Sequence, residues 1–478
     1  MTDISSLDLQ AALAALLAQQ SSPSADDVGS MADDDLAIHA LNNRFGGNLA
    51  FSKQRGWAYF PRDDHRWMVD HDGFGVTAEV QTMLRDLRRG EKDQRRSQYL
   101  GSKTRRDAVV DMLKGLPETR FSGEWDANPD LLAVPNGVVN LRTGILADGD
   151  PEQRITRAAT VPYDPGAECP RWERFVEEIF PDDPDMPAYI QRLLGYGITG
   201  RTSEQCFAVL YGAGSNGKSV LLTVLRKILG DHAATVPFDA FTVSGKARGG
   251  PDTELLVGAR LALASETNRS AVLDSAAIKN ATGGEEMNVN PKYRDPYSFN
   301  PQALILLATN YKPTVREQDT GTWRRIKLIP FKRYFAPAER DYNLHETLEA
   351  EYPGILAWLV RGAMRWFSEG LADPDSVKQA VSAYKDESDT LAGFFPGAYV
   401  LDPGKRVFLS EVWTDYQGWA DAEGVDPYRQ SSTLSKAIQE RSGGEVTSQR
   451  GAKGKAVLVG IRKTSEQERN GPGIFAAD

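Results

Sequence analysis

Between Gly212 and Ser219 the chain reads Gly-Ala-Gly-Ser-Asn-Gly-Lys-Ser, the complete G-x-x-x-x-G-K-[ST] spacing of a phosphate-binding loop. The flanking residues suit that loop. Phe207-Ala208-Val209-Leu210-Tyr211 before it is a short apolar, β-prone run, and Val220 to Leu229 after it is a helix that Gly230 can end. Such a strand–loop–helix unit restricts the chain to an α/β fold with a parallel sheet. The glycines let backbone N–H groups face the β- and γ-phosphates of a nucleotide, and the helix turns its positive N-terminus toward them. Gly212, Ala213, Gly214, Ser215, Asn216, Gly217, Lys218, Ser219 and Val220 therefore form the expected nucleotide-binding set. Lys218 supplies a point charge and Ser219 a hydroxyl for Mg²⁺, so ATP and Mg²⁺ are the expected cofactors. A glycine-rich turn that binds nothing is the alternative, and the ordered strand, loop and helix argue against it.

With 478 residues the chain exceeds one compact core, and two to four domains are expected. A 41% hydrophobic and 26% charged composition is that of a globular protein. No apolar run approaches the ~20 residues that span a bilayer. The N-terminus is acidic and alanine-rich, unlike a signal peptide, so a cytoplasmic location is expected. Cys169 and Cys206 are too few for a disulfide framework and read as small packed hydrophobes. The net charge of −10 hides two basic islands. Residues 85–106 carry nine Lys and Arg against three acids, and residues 431–463 carry seven against two. An acidic body with two basic islands suits a protein that meets a phosphate backbone at defined places, although solvated surface charge explains either island alone.

Along the chain, residues 1–35 read as a flexible lead and 36–165 as a mixed α/β domain. In that domain 57–60 and 66–69 are expected to pair as strands, 79–114 to form a basic helical stretch, and 131–141 two strands turning at Asn136-Gly137. The motor occupies 166–335, a helical segment 336–388, and a C-terminal domain 389–478. In the last, a helix over 433–440 precedes β-prone runs at 446–448 and 456–461, joined by a basic loop containing Arg450, Lys453 and Lys455. A helix followed by a hairpin with a basic wing predicts a winged helix that binds DNA.

Three further features follow the loop in order. Arg260 to Glu266 is a buried-type strand ending in an acid that could polarise water or position Mg²⁺. Ala303 to Asn310 is a second apolar strand, ending in an amide that could hold the attacking water or the γ-phosphate. Arg324 and Arg325 stand immediately before a third, Ile326 to Phe331, where five fixed guanidinium donors suit the charge of a γ-phosphoryl transition state.

The series Gly212–Ser219, Leu-Ala-Ser-Glu-Thr, Ala-Thr-Asn and Trp-Arg-Arg-Ile-Lys-Leu-Ile-Pro-Phe resembles the superfamily III helicases. The best match is to phage and plasmid primase-helicases and the poxvirus primase-helicase. The likeness includes Asn136-Gly137-Val138-Val139-Asn140-Leu141-Arg142-Thr143-Gly144 and spans roughly residues 55–335. It implies an AAA+ P-loop ATPase core, a parallel central sheet with flanking helices, that forms hexameric rings and translocates on single-stranded DNA. By this resemblance Lys218 and Ser219 are the Walker A pair, Glu266 the acidic end of Walker B, and Asn310 the sensor. Arg325 matches the arginine finger, with Arg324 the fallback. A pore hairpin is implied at residues 282–294, where Lys292 and Arg294 would meet phosphates and Tyr293 stack on a base.

Many members carry two adjacent acids at the Walker B end, whereas here Ser265 precedes Glu266. Either Glu266 serves both metal and water, or Asp252 or Glu254 assists. No primase site is read: Asp33-Asp34-Asp35 falls in the lead and Asp182-Asp183-Pro184-Asp185 in a proline-rich turn. A separate primase is then a possible partner. The function expected is an ATP-driven replicative helicase of a phage, prophage or plasmid, acting on single-stranded and duplex DNA. An origin-binding initiator using the winged helix is the rival, and a nucleotide kinase the third reading.

Overall fold

The computed structural model describes residues 32–52, 55–61, 64–121, 123–243, 251–265, 271–289, 296–389, 391–424, 427–451 and 454–465. The chain divides into two compact units. The first comprises Met1–Asn128, Pro135–Val138 and Ala147–Arg157, and the second the remainder.

In the first unit, α1 (Asp33–Asn43) begins with three aspartates in its first turn, where the helix dipole favours negative charge. The expected flexible lead thus ends earlier than the sequence suggests. Asp33 is helical and pairs with Arg105 at 2.7 Å. Strands β1 (Leu49–Ser52), β2 (Gly56–Tyr59) and β3 (Met68–Asp70) form an antiparallel meander. Trp57 faces Asp70 across the β2–β3 pair, the pairing expected from the sequence. The basic stretch is three helices rather than one: α2 (Phe74–Gly90), α3 (Gln94–Leu100) and α4 (Lys103–Gly115). The breaks are side-chain caps. Asp93 accepts from the Arg96 N–H at 2.8 Å and Ser102 from the Arg105 N–H at 3.2 Å, each satisfying an orphan donor of a new helix. Leu36, Trp57, Val80, Val109 and Leu113 form the core that these elements share.

Strands β4 (Leu131–Val134), β5 (Gly137–Asn140) and β6 (Ile145–Ala147) lie in that order in a small sheet. Helices α5 (Pro170–Ile179) and α6 (Met186–Ile198) lead into β7 (Phe207–Tyr211) and α7 (Lys218–Leu229). There follow β8 (Ala233–Thr235), the short α8 (Pro251–Glu254), β9 (Leu261–Ser265), α9 (Ser275–Gly283), β10 (Met287–Val289), β11 (Tyr297–Phe299) and β12 (Leu304–Thr309). Next come α10 (Thr320–Trp323), β13 (Ile326–Pro330), α11 (Leu344–Ala350), α12 (Tyr352–Glu369) and α13 (Asp375–Glu387).

The central sheet has the order β13-β7-β12-β9-β8, parallel throughout. Its inner strands β7, β9 and β12 are buried on both faces, which explains their unbroken apolar sequences. Successive residues of β7 enter opposite cores. Ala208 and Leu210 pack with Leu225, Trp172 and Trp358, while Phe207 and Val209 pack with Ile305, Leu328 and Tyr384. On the first face α6 and α12 approach closely at Gly195, where a Cβ would stand 2.2 Å from the Ala363 nitrogen.

The C-terminal part has a third arrangement: β14 (Tyr399–Phe408), α14 (Leu409–Glu423), α15 (Ser431–Arg441), β15 (Thr447–Arg450) and β16 (Ala456–Lys463). Its antiparallel sheet runs β14-β16-β15. Phe394, Tyr416, Leu434, Ile438, Leu458 and Ile461 fill a separate core. Among the described residues, no helix is long and apolar enough to cross a membrane.

Candidate functional site

All five parallel strands end along one edge, and the loop from Gly212 to Gly217 leaves β7 there, between the ends of β13 and β12. Backbone bonds fix both flanks. The Gly212 N–H donates to Thr309 O at 3.2 Å and the Phe331 N–H to Tyr211 O at 2.7 Å. Two glycines are required by geometry. A Cβ on Gly212 would lie 2.2 Å from the Phe331 carbonyl oxygen, and Gly217 has φ +90° with Ile179 Cγ2 2.6 Å from its missing Cβ. Ser215 also adopts a left-handed backbone, φ +60°.

Asn216, read from the sequence only as a loop position, is a buried brace. Its amide donates to Ala213 O at 2.6 Å and to Phe331 O at 3.3 Å. Lys218 opens α7 and is buried, yet its ammonium is satisfied. Nζ donates to Gly212 O, to Asn216 Oδ1 at 3.1 Å and to Asn310 Oδ1 at 3.4 Å. The loop lysine and the amide at the end of β12 therefore meet, as their order in the sequence suggests. Burial pushes the Lys218 pKa down to about 8. Ala213, Gly214, Ser215 and Ser219 are exposed, and a Cβ on Gly214 would meet nothing within 4 Å. Exposed loop N–H groups, a cation and a hydroxyl on one helix N-terminus fit a nucleotide triphosphate and its Mg²⁺.

Arg340 was not singled out by the sequence. Its guanidinium donates to Ser215 Oγ at 2.9 Å and to Phe335 O at 3.2 Å, while the Phe335 N–H donates to Ser215 O at 2.9 Å. The segment after β13 thus lies against the phosphate loop. A contact made across 125 residues leaves no local pattern, so no sequence signal could have identified it.

Glu266 follows β9 directly in sequence and lies outside the described residues, as do Lys292, Tyr293, Arg294 and Lys453. The last residue of β9, Ser265, pairs with Ala308 of β12, two residues before Asn310. The hairpin expected over 282–294 is displaced: Thr282 and Gly283 end α9, and the antiparallel pair is β10 with β11, Met287 with Phe299 and Val289 with Tyr297, because the second arm begins only at Tyr297. Among the described residues, no group of three or more His, Cys, Asp or Glu could hold a metal ion.

The two arginines part company. Arg325 is buried, with Nε donating to Thr282 Oγ1 at 3.1 Å and an Nη to Gly321 O at 2.7 Å. Arg324 is exposed, and its guanidinium donates to the Gln205 side chain. Both stand at the start of β13, where the Phe207 N–H donates to Arg325 O. The phosphate loop leaves the opposite end of β7, about 13 Å away for four steps of strand rise. Neither arginine serves the phosphate loop of its own chain in this geometry.

In the C-terminal part, Arg450 ends β15 opposite Ala456, and Lys455 is exposed on the same hairpin.

The sheet order and the loop define a P-loop-like α/β core. Residues 39–181 match the family described as D5 N terminal like, and residues 210–325 match a family of unknown function, DUF5906. A protein of Acanthamoeba polyphaga mimivirus provisionally named helicase L207/L206 is 27% identical over 350 residues, covering 68% of this chain and 36% of that protein. An African swine fever virus protein provisionally named primase C962R is 26% identical over 334 residues, 63% of this chain and 34% of that protein. The chain thus spans about a third of the length of these relatives. The apo structure of the NrS-1 C terminal region aligns with 89% of this chain and 99% of its own, at 13% identity and a TM-score of 0.49. The resemblance drawn from the motifs is borne out: the chain is similar to viral helicases and primases of the D5 type.

Proposed function

We propose that the chain is the motor of an ATP-driven DNA helicase that replicates a viral or plasmid genome and works as a ring of identical subunits. The observation that carries this reading is the contact of Lys218 with both Asn216 and Asn310, which couples the phosphate loop to the neighbouring strand end. In P-loop motors that junction is where the state of the γ-phosphate is sensed.

ATP with Mg²⁺ would supply the γ-phosphoryl group that water attacks, releasing ADP and phosphate. Lys218 exchanges its protein oxygens for phosphate oxygens, and the exposed N–H groups of 213–215 orient the triphosphate. Ser219 Oγ is the side chain placed to hold the metal. Glu266 is assigned the polarising of water, with Asp252 or Glu254 as the alternative helpers, and Asn310 its positioning. The finger is assigned to Arg324, because it can reach a neighbouring subunit by giving up one exposed bond to Gln205. Arg325 is buried and held at two points, which suits the anchoring of that corner. The β10–β11 hairpin is assigned the grip on single-stranded DNA, through Lys292, Tyr293 and Arg294 in the sequence between its strands. The β14–β16 unit is read as a winged helix, with Arg450, Lys453 and Lys455 on the wing, and an origin-recognising role for it remains the second reading.

The test is steady-state ATP turnover and forked-duplex unwinding by the purified protein and by Lys218→Ala. Turnover is expected in the parent alone and stimulated by single-stranded DNA. Equal turnover in the folded Lys218→Ala protein refutes the site.

A further inference from the structure

We propose a second nucleic-acid site, distant in sequence from the motor: a basic cavity in the first unit that seats the phosphates of a single strand. A cavity of about 370 Å³ opens where α2, α3 and α4 meet, and Arg85, Arg88, Lys103 and Arg106 line it above Leu84 and Leu100. The cations come in two pairs, each three residues apart on one helix. Such neighbours are ~5–6 Å apart at Cβ and repel one another. A chain of net charge −10 gathers four of them around one concavity, which points to an anionic occupant.

Asp86 pairs outside the cavity lining, with Arg44 and Arg89, while Asp107 pairs with Arg106 at 2.6 Å and offsets one of the four charges. Arg85 and Lys103, by contrast, have neither an ion pair nor a side-chain hydrogen bond among the described residues. Arg88 Nε donates to Ser97 Oγ at 3.4 Å, and an Nη lies close beside Gly101, 2.8 Å from where a Cβ would be. Backbone at the start of α4 adds its helix dipole to the same wall.

The shape selects the ligand. Duplex DNA is stiff over ~150 base pairs and cannot bend into a small concavity, whereas a single strand can fold its phosphates into one. Each of the four cations would meet a phosphate of such a strand. This site rests on the reading that the chain handles single-stranded DNA, but not on hydrolysis.

The experiment is nucleotide-free binding of the full chain to a fluorescent oligothymidine across a range of salt, beside a duplex of equal length. Arg88→Gln/Lys103→Gln is compared with the parent and with Lys378→Gln/Lys385→Gln, which removes two exposed cations from α13. The single-strand salt slope should fall by about 1.4 in the cavity variant, at ~0.7 per lost phosphate contact, and stay at the parental value in the control. An unchanged slope, or an equal fall in the control, overturns the proposal. So does competition by inorganic pyrophosphate as effective per phosphate as the oligonucleotide, which would make the cavity a free-anion site. ATP turnover is measured on the same preparations. A parent that binds the strand with the expected slopes yet hydrolyses nothing would refute the motor alone, and the cavity would stand.

Discussion

Lys218 carries a positive charge into a buried position, where three oxygens hold it but burial still lowers its pKa from 10.5 to about 8. A depressed cation pKa means that the folded state resists protonation. The cost is fully present below about pH 8 and is relieved as pH rises from there toward 10.5, where the unfolded chain still binds the proton. Phosphates beside the ammonium act the other way and raise its pKa. Nucleotide binding should therefore take up a proton above about pH 8, and affinity should fall by up to tenfold per pH unit beyond it. Titration calorimetry in two buffers of different ionisation enthalpy at pH 8.5 checks this, and equal apparent enthalpies would contradict it. Asn216 invites a companion measurement. Asn216→Ala leaves the carbonyls of Ala213 and Phe331 without their donor, at a cost of about 1–3 kcal/mol for a buried polar group. Denaturant unfolding should show that loss, and nucleotide affinity should fall with it, because the loop is braced through this side chain.

At the scale of elements, β13 and the β10–β11 hairpin carry the sharpest tests. In a closed ring of head-to-tail interfaces, each site combines one subunit's phosphate loop with its neighbour's arginine. Arg324→Ala and Lys218→Ala proteins should each be inactive, yet a 1:1 mixture should regain about a quarter of parental turnover, since one random interface in four is intact. A mixture as inactive as its parents, with mixed rings demonstrated by mass spectrometry, removes Arg324 from the site. For the hairpin, Lys292→Ala/Tyr293→Ala should bring the ratio of DNA-stimulated to unstimulated turnover toward one, and unwinding at the parental rate would return these residues to the surface.

The elements that carry these tests differ in how plainly the sequence announced them. Apolar strands buried on both faces, β7, β9 and β12, are unbroken runs and were legible within a residue or so, as was the β-prone run of β13. The phosphate loop was legible because its chemistry forces its spacing. The edge strand β8 has three small residues and no pattern, and β1 is no longer than four; both passed unread. The breaks inside the basic helical stretch escape the sequence because Asp93 and Ser102 show themselves as caps only once their side chains are seen. Arg340 on Ser215 and the burial of Arg325 arise from tertiary approach and leave no trace in spacing.

The whole molecule is acidic, so at long range it repels DNA, and binding must be local to its basic islands. The two islands have different shapes. The first lines a concavity among three helices, while the second includes α15 and the β15–β16 hairpin, whose strand β15 is exposed. An exposed hairpin can follow the outside of a stiff duplex, which a concavity cannot. The islands should then divide the forms of DNA between them. Arg450→Gln/Lys455→Gln is expected to flatten the duplex salt slope by about 1.8, at ~0.9 per phosphate, while leaving the single-strand slope at its parental value. Arg88→Gln/Lys103→Gln should do the reverse. Anisotropy titrations of both variants on both DNA forms, without nucleotide, give four slopes. If each variant moves both slopes equally, the islands act only through net charge, and the division of labour is wrong. If the hairpin variant alone moves the duplex slope, the β15–β16 hairpin is the part of the chain that meets double-stranded DNA.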